Sequence, residues 1–144
     1  MSVEPRALSR EHILKTIKQC NCIVMSHHKN LIAFQKAYQL AMKIFIVSKS
    51  FPVEERYSLT DQIRRSSRSV CANIAEADRR KRYRGYFISK LNDAETENAE
   101  TEVWIEFAKD CNYISQKDYE DLLRLNEEAG KLIWYMINNP DKFI

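Results

Sequence analysis

The sequence predicts an all-α protein, folded as an antiparallel up-and-down four-helix bundle. The 144 residues include only 2 glycines and 3 prolines, which leaves little turn chemistry for β-hairpins. Apolar side chains recur at helical spacing in four long segments with short breaks between them, and this pattern is typical of amphipathic helices. Four helices with short connections most simply form such a bundle, and a chain of this length can bury one core.

The first predicted helix covers residues 31–49. It ends before Phe51 and Pro52, because a proline biases the preceding residue away from the helical conformation. The apolar positions of this helix are Phe34, Ala37, Tyr38, Ala41, Ile44 and Phe45.

The second and third helices are predicted at residues 54–80 and 83–112. The inward positions of the second are Leu59, Ile63, Ser66, Val70, Asn73, Ile74 and Ala77. Those of the third are Phe87, Leu91, Ala94, Asn98, Thr101, Ile105 and Ala108. Asn98 and Thr101 of the third helix therefore fall where apolar core residues are expected, and a buried polar group needs a hydrogen-bonding partner. We expect these partners to come from Gln62, Arg65 and Asn73 of the second helix, with Arg–Glu pairing between helices or subunits.

The fourth helix is predicted to begin near Ser115, whose side chain can cap it, with Asp118 three residues later acting as a capping-box acid. It ends at the Asn138-Asn139-Pro140 sequence. Asn126 interrupts its apolar line.

Residues 1–24 lack a clear second face and are assigned to an N-terminal extension, either disordered or a short helix, before a bundle domain at residues 25–144. Met25 is an alternative start. Four residues of metal-ligand type lie close together at Cys20, Cys22, His27 and His28. Their spacing matches none of the usual zinc patterns, so neither a metal nor another cofactor is expected.

Charge is distributed unevenly along the chain. Residues 56–84 carry 9 basic and 3 acidic side chains, whereas residues 85–112 carry 2 basic and 7 acidic ones. Five arginines of the basic segment are candidate nucleic-acid contacts, with most of them opposite the core stripe: Arg64, Arg68, Arg79, Arg80 and Arg82. Clustered arginines are typical of phosphate binding, but most charged helix faces are solvated and pair with nearby carboxylates.

Nothing in the sequence predicts catalysis, so we expect no enzyme. Di-iron bundles need Glu-x-x-His pairs, and the three histidines lie outside the third and fourth helices. No apolar run approaches the ~18 residues of a membrane span, and no signal peptide is evident, so the expected location is the cytoplasm.

Three aromatic residues of the third helix lie away from its inward face: Tyr86, Trp104 and Phe107. They predict a homo-oligomer interface, because exposed apolar patches mark interaction sites.

A known family pattern is carried by residues 51–80, which read FPVEERYSLTDQIRRSSRSVCANIAEADRR. This stretch resembles the bacterial four-helix-bundle proteins encoded in intervening sequences of large-subunit ribosomal RNA genes, also called S23 ribosomal proteins. Further matching stretches are FQKAYQLAMKIF, AETEVWIEFAKDCNYIS and NEEAGKLIWYMINNP. The characteristic polar positions of the family are occupied here by Gln62, Arg64, Arg65, Ser69, Asn73 and Glu76.

Two positions depart from the pattern. Ala77 stands where the family usually has glycine, so the second helix is expected to continue further, and Ser66-Ser67 stands in place of Ala-Ala. The resemblance implies a ring-like homo-oligomer, commonly a pentamer. It extends to the accessory variability determinant of diversity-generating retroelements, which implies RNA or DNA and a reverse transcriptase as partners. On this basis Gln62, Arg65, Asn73 and Glu76 are expected to form a structural polar network.

Overall fold

The computed structural model describes residues 27–144, and within them the four predicted helices are present. Helix α1 spans Ile32–Ser48, α2 spans Leu59–Arg79, α3 spans Arg84–Asp110 and α4 spans Gln116–Asn138. Single 3-10 turns occur at His27–Asn30, Val53–Glu55 and Pro140–Lys142. Each helix packs against its two neighbours in the order α1, α2, α3, α4 and back to α1. The all-α bundle expected from the sequence is thereby confirmed, while the proposed extension at residues 1–24 lies outside the described residues.

The ends of α1 and α4 lie close to the predicted ones. At the start of α4, Ser115 Oγ accepts a hydrogen bond from the backbone N–H of Asp118 at 3.1 Å. This bond satisfies one of the N–H groups that have no partner within the helix. The predicted cap is therefore confirmed.

The predicted start of α2 at residue 54 is wrong by five residues. Val53–Glu55 forms a separate 3-10 turn after Pro52. The Glu55 carboxylate then accepts hydrogen bonds from Ser58 Oγ at 2.6 Å and from the backbone N–H of Leu59 at 3.1 Å. Because this carboxylate supplies the cap, the helix begins at Leu59.

The interior consists of two apolar clusters separated by a polar layer. One cluster lies towards the α2–α3 connection and includes Val70, Ile74, Phe87 and Leu91. The other lies towards the opposite end, around residues such as Ile44, Ile63, Ile105 and Leu122. The polar layer between them consists of Ser66, Asn98, Thr101 and Asn126, all buried.

The polar layer satisfies its own hydrogen bonds. Asn98 Nδ2 donates to the Asn126 carbonyl at 3.0 Å, and Asn126 Nδ2 donates to the Asn98 carbonyl at 2.9 Å. Thr101 Oγ1 donates to Ser66 Oγ at 2.9 Å. The expectation that Gln62, Arg65 and Asn73 partner Asn98 and Thr101 is therefore wrong.

Candidate nucleic-acid interface

Two of the five candidate arginines are positioned by α1. The guanidinium carbons of Arg64 and Arg68 lie 5.1 and 5.8 Å from the centre of the Phe45 ring. Arg64 Nε also donates a hydrogen bond to Ser48 Oγ at 2.8 Å. Cation–π contacts of this kind hold a guanidinium in place while leaving its other edges available to solvent. Arg68 is exposed and Arg64 is half-buried.

An open groove of about 630 Å³ adjoins these two arginines, and its lining brings four guanidinium groups together. The lining residues are Arg56, Tyr57, Thr60, Asp61, Arg64, Arg65 and Arg68. Arg56 and Tyr57 precede α2 rather than belong to it, and neither was predicted from the sequence as a site residue. Tyr57 is 85% exposed. In the sequence, an aromatic residue directly after an arginine, just before the basic helix, was the signal that could have revealed them.

The other three candidate arginines lie at the α2–α3 connection. All three side chains are exposed. The guanidinium of Arg80 lies 5.1 Å from the Tyr86 ring centre, and that of Arg82 lies 5.4 Å from the Tyr83 ring centre. Arg79 is the last residue of α2. Because a helix rises about 1.5 Å per residue, roughly 16 Å separate Arg68 from Arg79 along the axis.

An apolar groove separates the two arginine groups, so they do not form one continuous basic stripe. It lies between α1 and α2, measures about 480 Å³ and is lined on the α2 side by Arg68, Cys71, Ala72 and Ala75. Burial raises the pKa of the Cys71 thiol to about 11, which keeps this cysteine protonated and unreactive at neutral pH.

Ion pairing distinguishes the candidate arginines from three of the other four arginines of residues 27–144, while Arg56 forms no salt bridge there, like the candidates. Three other arginines pair with carboxylates: Arg65 with Glu100, Arg84 with Asp141 and Arg124 with Glu128. None of the five candidates forms a salt bridge within residues 27–144. Their charge is therefore not neutralised by a carboxylate of the described chain.

The four residues expected to form one polar network fall into three separate groups. Arg65 donates to Gln62 Oε1 at 3.0 Å and to Glu100 Oε1 at 3.2 Å. Asn73 Nδ2 donates within its own helix, to the Ser69 carbonyl at 3.0 Å.

Glu76 forms the third group, in which its carboxylate lies 3.0 Å from Lys90 Nζ. This hydrogen bond raises the pKa of Lys90 above its usual value. All three groups lie on α2 or along its seam with α3, and only Gln62 and Arg65 contact each other directly.

The three candidate interface aromatics are not all brought together. The ring centres of Trp104 and Phe107 lie 5.9 Å apart, and Phe107 is 54% exposed. Val103 beside them is also exposed. Tyr86 lies 18 residues before Trp104, which is about 27 Å along the same helix.

Residues 27–144 hold no group of three His, Cys, Asp or Glu side chains that could bind a metal ion. The constellation of Cys20, Cys22, His27 and His28 lies partly outside this range, because both of its cysteines do. No described helix is long and apolar enough to cross a membrane.

Comparison with known proteins identifies the family. A family model described as 23S rRNA-intervening sequence protein matches residues 29–135. The chain belongs to this family. The match spans the intervening-sequence protein from before α1 into the last turn of α4 and includes all five candidate arginines. The family resemblance carried by residues 51–80 is therefore confirmed.

A crystal structure of a similar protein supports the fold. It is a protein of unknown function from the S23 ribosomal protein family of Bacteroides thetaiotaomicron VPI-5482. The two chains are 33% identical with a TM-score of 0.67, and the alignment covers 74% of this chain and 96% of the other. No curated protein matches the chain.

Proposed function

We propose that this intervening-sequence protein is a non-enzymatic, homo-oligomeric bundle that binds RNA or DNA through its two arginine groups, with little sequence readout. One observation carries the proposal. The five candidate arginines have no carboxylate partner within residues 27–144, whereas Arg65, Arg84 and Arg124 do. A fixed, unneutralised guanidinium is suited to a phosphate oxygen, which its planar donor fork can contact through two hydrogen bonds.

The arrangement favours contact with the nucleic-acid backbone over contact with bases. The arginines of the first group lie along the side of α2, and those of the second lie at its end. Phosphate contacts of this kind fix position without carrying sequence information. The acidic segment at residues 85–112 repels a polyanion, so it favours docking on the α2 side.

The proposal is tested by charge reversal at Arg64 and Arg68. Fluorescence anisotropy of a labelled structured RNA and a DNA duplex is recorded across a salt series, with the oligomer mass fixed by light scattering. The double variant R64E/R68E is expected to bind roughly tenfold more weakly and to show a shallower dependence of affinity on salt, because each phosphate contact contributes to that slope.

The control is Arg124→Glu, which makes one such charge reversal, half of the charge change of the double variant, on α4, a helix that does not pack against α2. It is expected to leave affinity nearly unchanged. Circular dichroism checks that the double variant is folded, since Arg64 also packs on Phe45. A folded double variant with wild-type affinity and salt slope would contradict the proposal for this surface.

A second candidate function is an assembly or protein-interaction module that meets no nucleic acid. It is favoured by the ion pair between Arg65 of α2 and Glu100 of α3, 3.2 Å apart, which uses an arginine structurally. A properly assembled oligomer that binds neither nucleic acid at low salt would favour this alternative. A reverse transcriptase would then be a protein partner to test, as the family resemblance implies.

A further inference from the structure

Two tyrosines at the α2–α3 connection lie outside the core. Tyr83 is the N-cap residue of α3 and is 55% exposed, while Tyr86, one turn later, is 39% exposed. Neither ring belongs to or packs against the two apolar clusters of the interior. Burial of the core therefore does not account for an aromatic residue at either position.

These rings lie in a strongly basic sequence. Residues 79–84 contain five basic side chains in six positions. The nearby acids are already paired: the buried Asp78 lies 3.6 Å from Lys81 Nζ and 3.4 Å from His27 Nδ1, and Asp141 pairs with Arg84. The unneutralised charge at this end of the bundle therefore belongs to Arg79, Arg80 and Arg82.

The guanidinium groups and the rings are already in contact. Arg82 lies over Tyr83 at 5.4 Å and Arg80 over Tyr86 at 5.1 Å, measured to the ring centres. Proteins that bind single strands combine a positively charged path for the backbone with aromatic faces on which bases stack. Unpaired bases also stack on guanidinium planes. A duplex hides the faces of its bases, so only an unpaired strand can use these rings.

We infer that the α2–α3 end of the bundle binds single-stranded nucleic acid, with a base stacked on Tyr83 and phosphates held by Arg79, Arg80 and Arg82. The inference rests on the proposed function and narrows its substrate class. Stacking tolerates any base, because every base has a π face, which agrees with a site that reads little sequence. Tyr83 is the residue to test, because Tyr86 is also a candidate for the oligomer interface.

The test compares Tyr83→Ala with Tyr83→Phe. The probes are labelled uridine homopolymer RNA, thymidine homopolymer DNA and an RNA duplex of equal length. Tyr83→Ala is expected to weaken binding of the single strands about tenfold, the usual effect of removing one stacking partner. Tyr83→Phe keeps the ring and is expected to keep the affinity. Duplex binding is expected to be unaffected by either change.

Tyr38→Ala is the matched control, because Tyr38 is 53% exposed but lies along α1 rather than at the α2–α3 connection. It is expected to bind all probes like the wild type. Equal losses for single strand and duplex in Tyr83→Ala, or an equal loss of single-strand binding in Tyr38→Ala, would overturn the inference.

The binding experiment distinguishes a failure of this inference from a failure of the proposed function. If wild-type protein binds the probes and Tyr83→Ala changes nothing, the inference fails and the proposed function stands. If assembled wild-type protein binds none of the probes at low salt, both fail. A loss with RNA but not DNA, or the reverse, would support the inference and identify which strand is used.

Discussion

Asn98 and Asn126 join α3 to α4 inside the bundle. Each amide group donates to the backbone carbonyl of the other residue, at 3.0 and 2.9 Å, and both side chains are buried. Asn126 Nδ2 also contacts Asn98 Oδ1 at 3.2 Å. Gly130 leaves room for this pair, because a Cβ there would lie 3.1 Å from Asn98 Nδ2. The pair therefore fixes both the spacing and the register of the two helices.

We expect Asn126→Ala to lower the free energy of unfolding by about 2 kcal/mol, because Asn98 then keeps a buried acceptor without a donor. The change is measured by urea unfolding at fixed protein concentration, since assembly shifts apparent stability. The double variant N98A/N126A is expected to cost less than the sum of the single changes, because the two residues interact directly.

The control is Asn92→Ala, an exposed asparagine of α3 whose Nδ2 donates only to the Ile88 carbonyl of its own helix. Its effect is expected to stay within about 0.5 kcal/mol. Equal costs at positions 92 and 126 would show that the buried pair contributes nothing beyond an ordinary surface asparagine.

At the scale of a helix, the end of α3 depends on one residue with a left-handed backbone. Asn112 has a φ of 62°, and it is the one non-glycine residue with positive φ within residues 27–144. The backbone N–H of Tyr113 then reaches the Ala108 carbonyl at 2.8 Å, and that of Asn112 reaches the Lys109 carbonyl at 2.9 Å. These two bonds form a Schellman motif, which turns the chain towards α4.

Asn112→Ala is expected to lower the free energy of unfolding by about 1 kcal/mol, because a Cβ without a compensating polar group disfavours the left-handed conformation. Asn112→Gly is the matched comparison and is expected to match or exceed the wild type, since glycine adopts positive φ freely. Both are measured by urea unfolding. Alanine and glycine variants of equal stability would contradict a role for the left-handed conformation at position 112.

The sequence alone was sufficient to place two helix ends that depend on neighbouring residues, the end of α1 and the start of α4. Pro52 after α1 and the Ser115 cap of α4 act within a few residues, and helical spacing alone assigned the inward face of α3. The start of α2 was placed wrongly although its chemistry is also local, because helical spacing does not show that the Glu55 carboxylate accepts from Ser58 and from the backbone of Leu59. Asn126 was not recognised as the partner of Asn98 for a different reason, because the two residues lie 28 positions apart on different helices.

The candidate site was predictable only in part. Helical phase placed Arg64 and Arg68 away from the core, but it could not show that both pack on Phe45 of α1. Nor could it show that Arg56, outside the helix, lines the same groove. Contacts between elements decide these features, and a single sequence does not encode them locally.

Across the whole molecule, the basic and acidic surfaces belong to adjacent helices. Residues 56–84 are basic and residues 85–112 are acidic, and α2 packs against α3 in the bundle. Copies arranged around a ring would repeat the arginine groups at regular intervals. Repeated weak sites gain affinity through effective concentration, so assembly and nucleic-acid binding are expected to be coupled.

The assembly itself is tested at the outer face of α3, where Phe107 is 54% exposed beside Trp104 and Val103. Phe107→Glu is expected to dissociate the oligomer into single chains, because a charge buried in an apolar interface is costly. The mass of each variant is measured by light scattering. The control is Val53→Glu, at an 80% exposed position in the connection between α1 and α2, and this variant should stay assembled. Dissociated Phe107→Glu should also bind RNA more weakly than the oligomer. A wild-type protein that is already a single chain, or a Phe107→Glu variant of unchanged mass, would contradict an interface at this face.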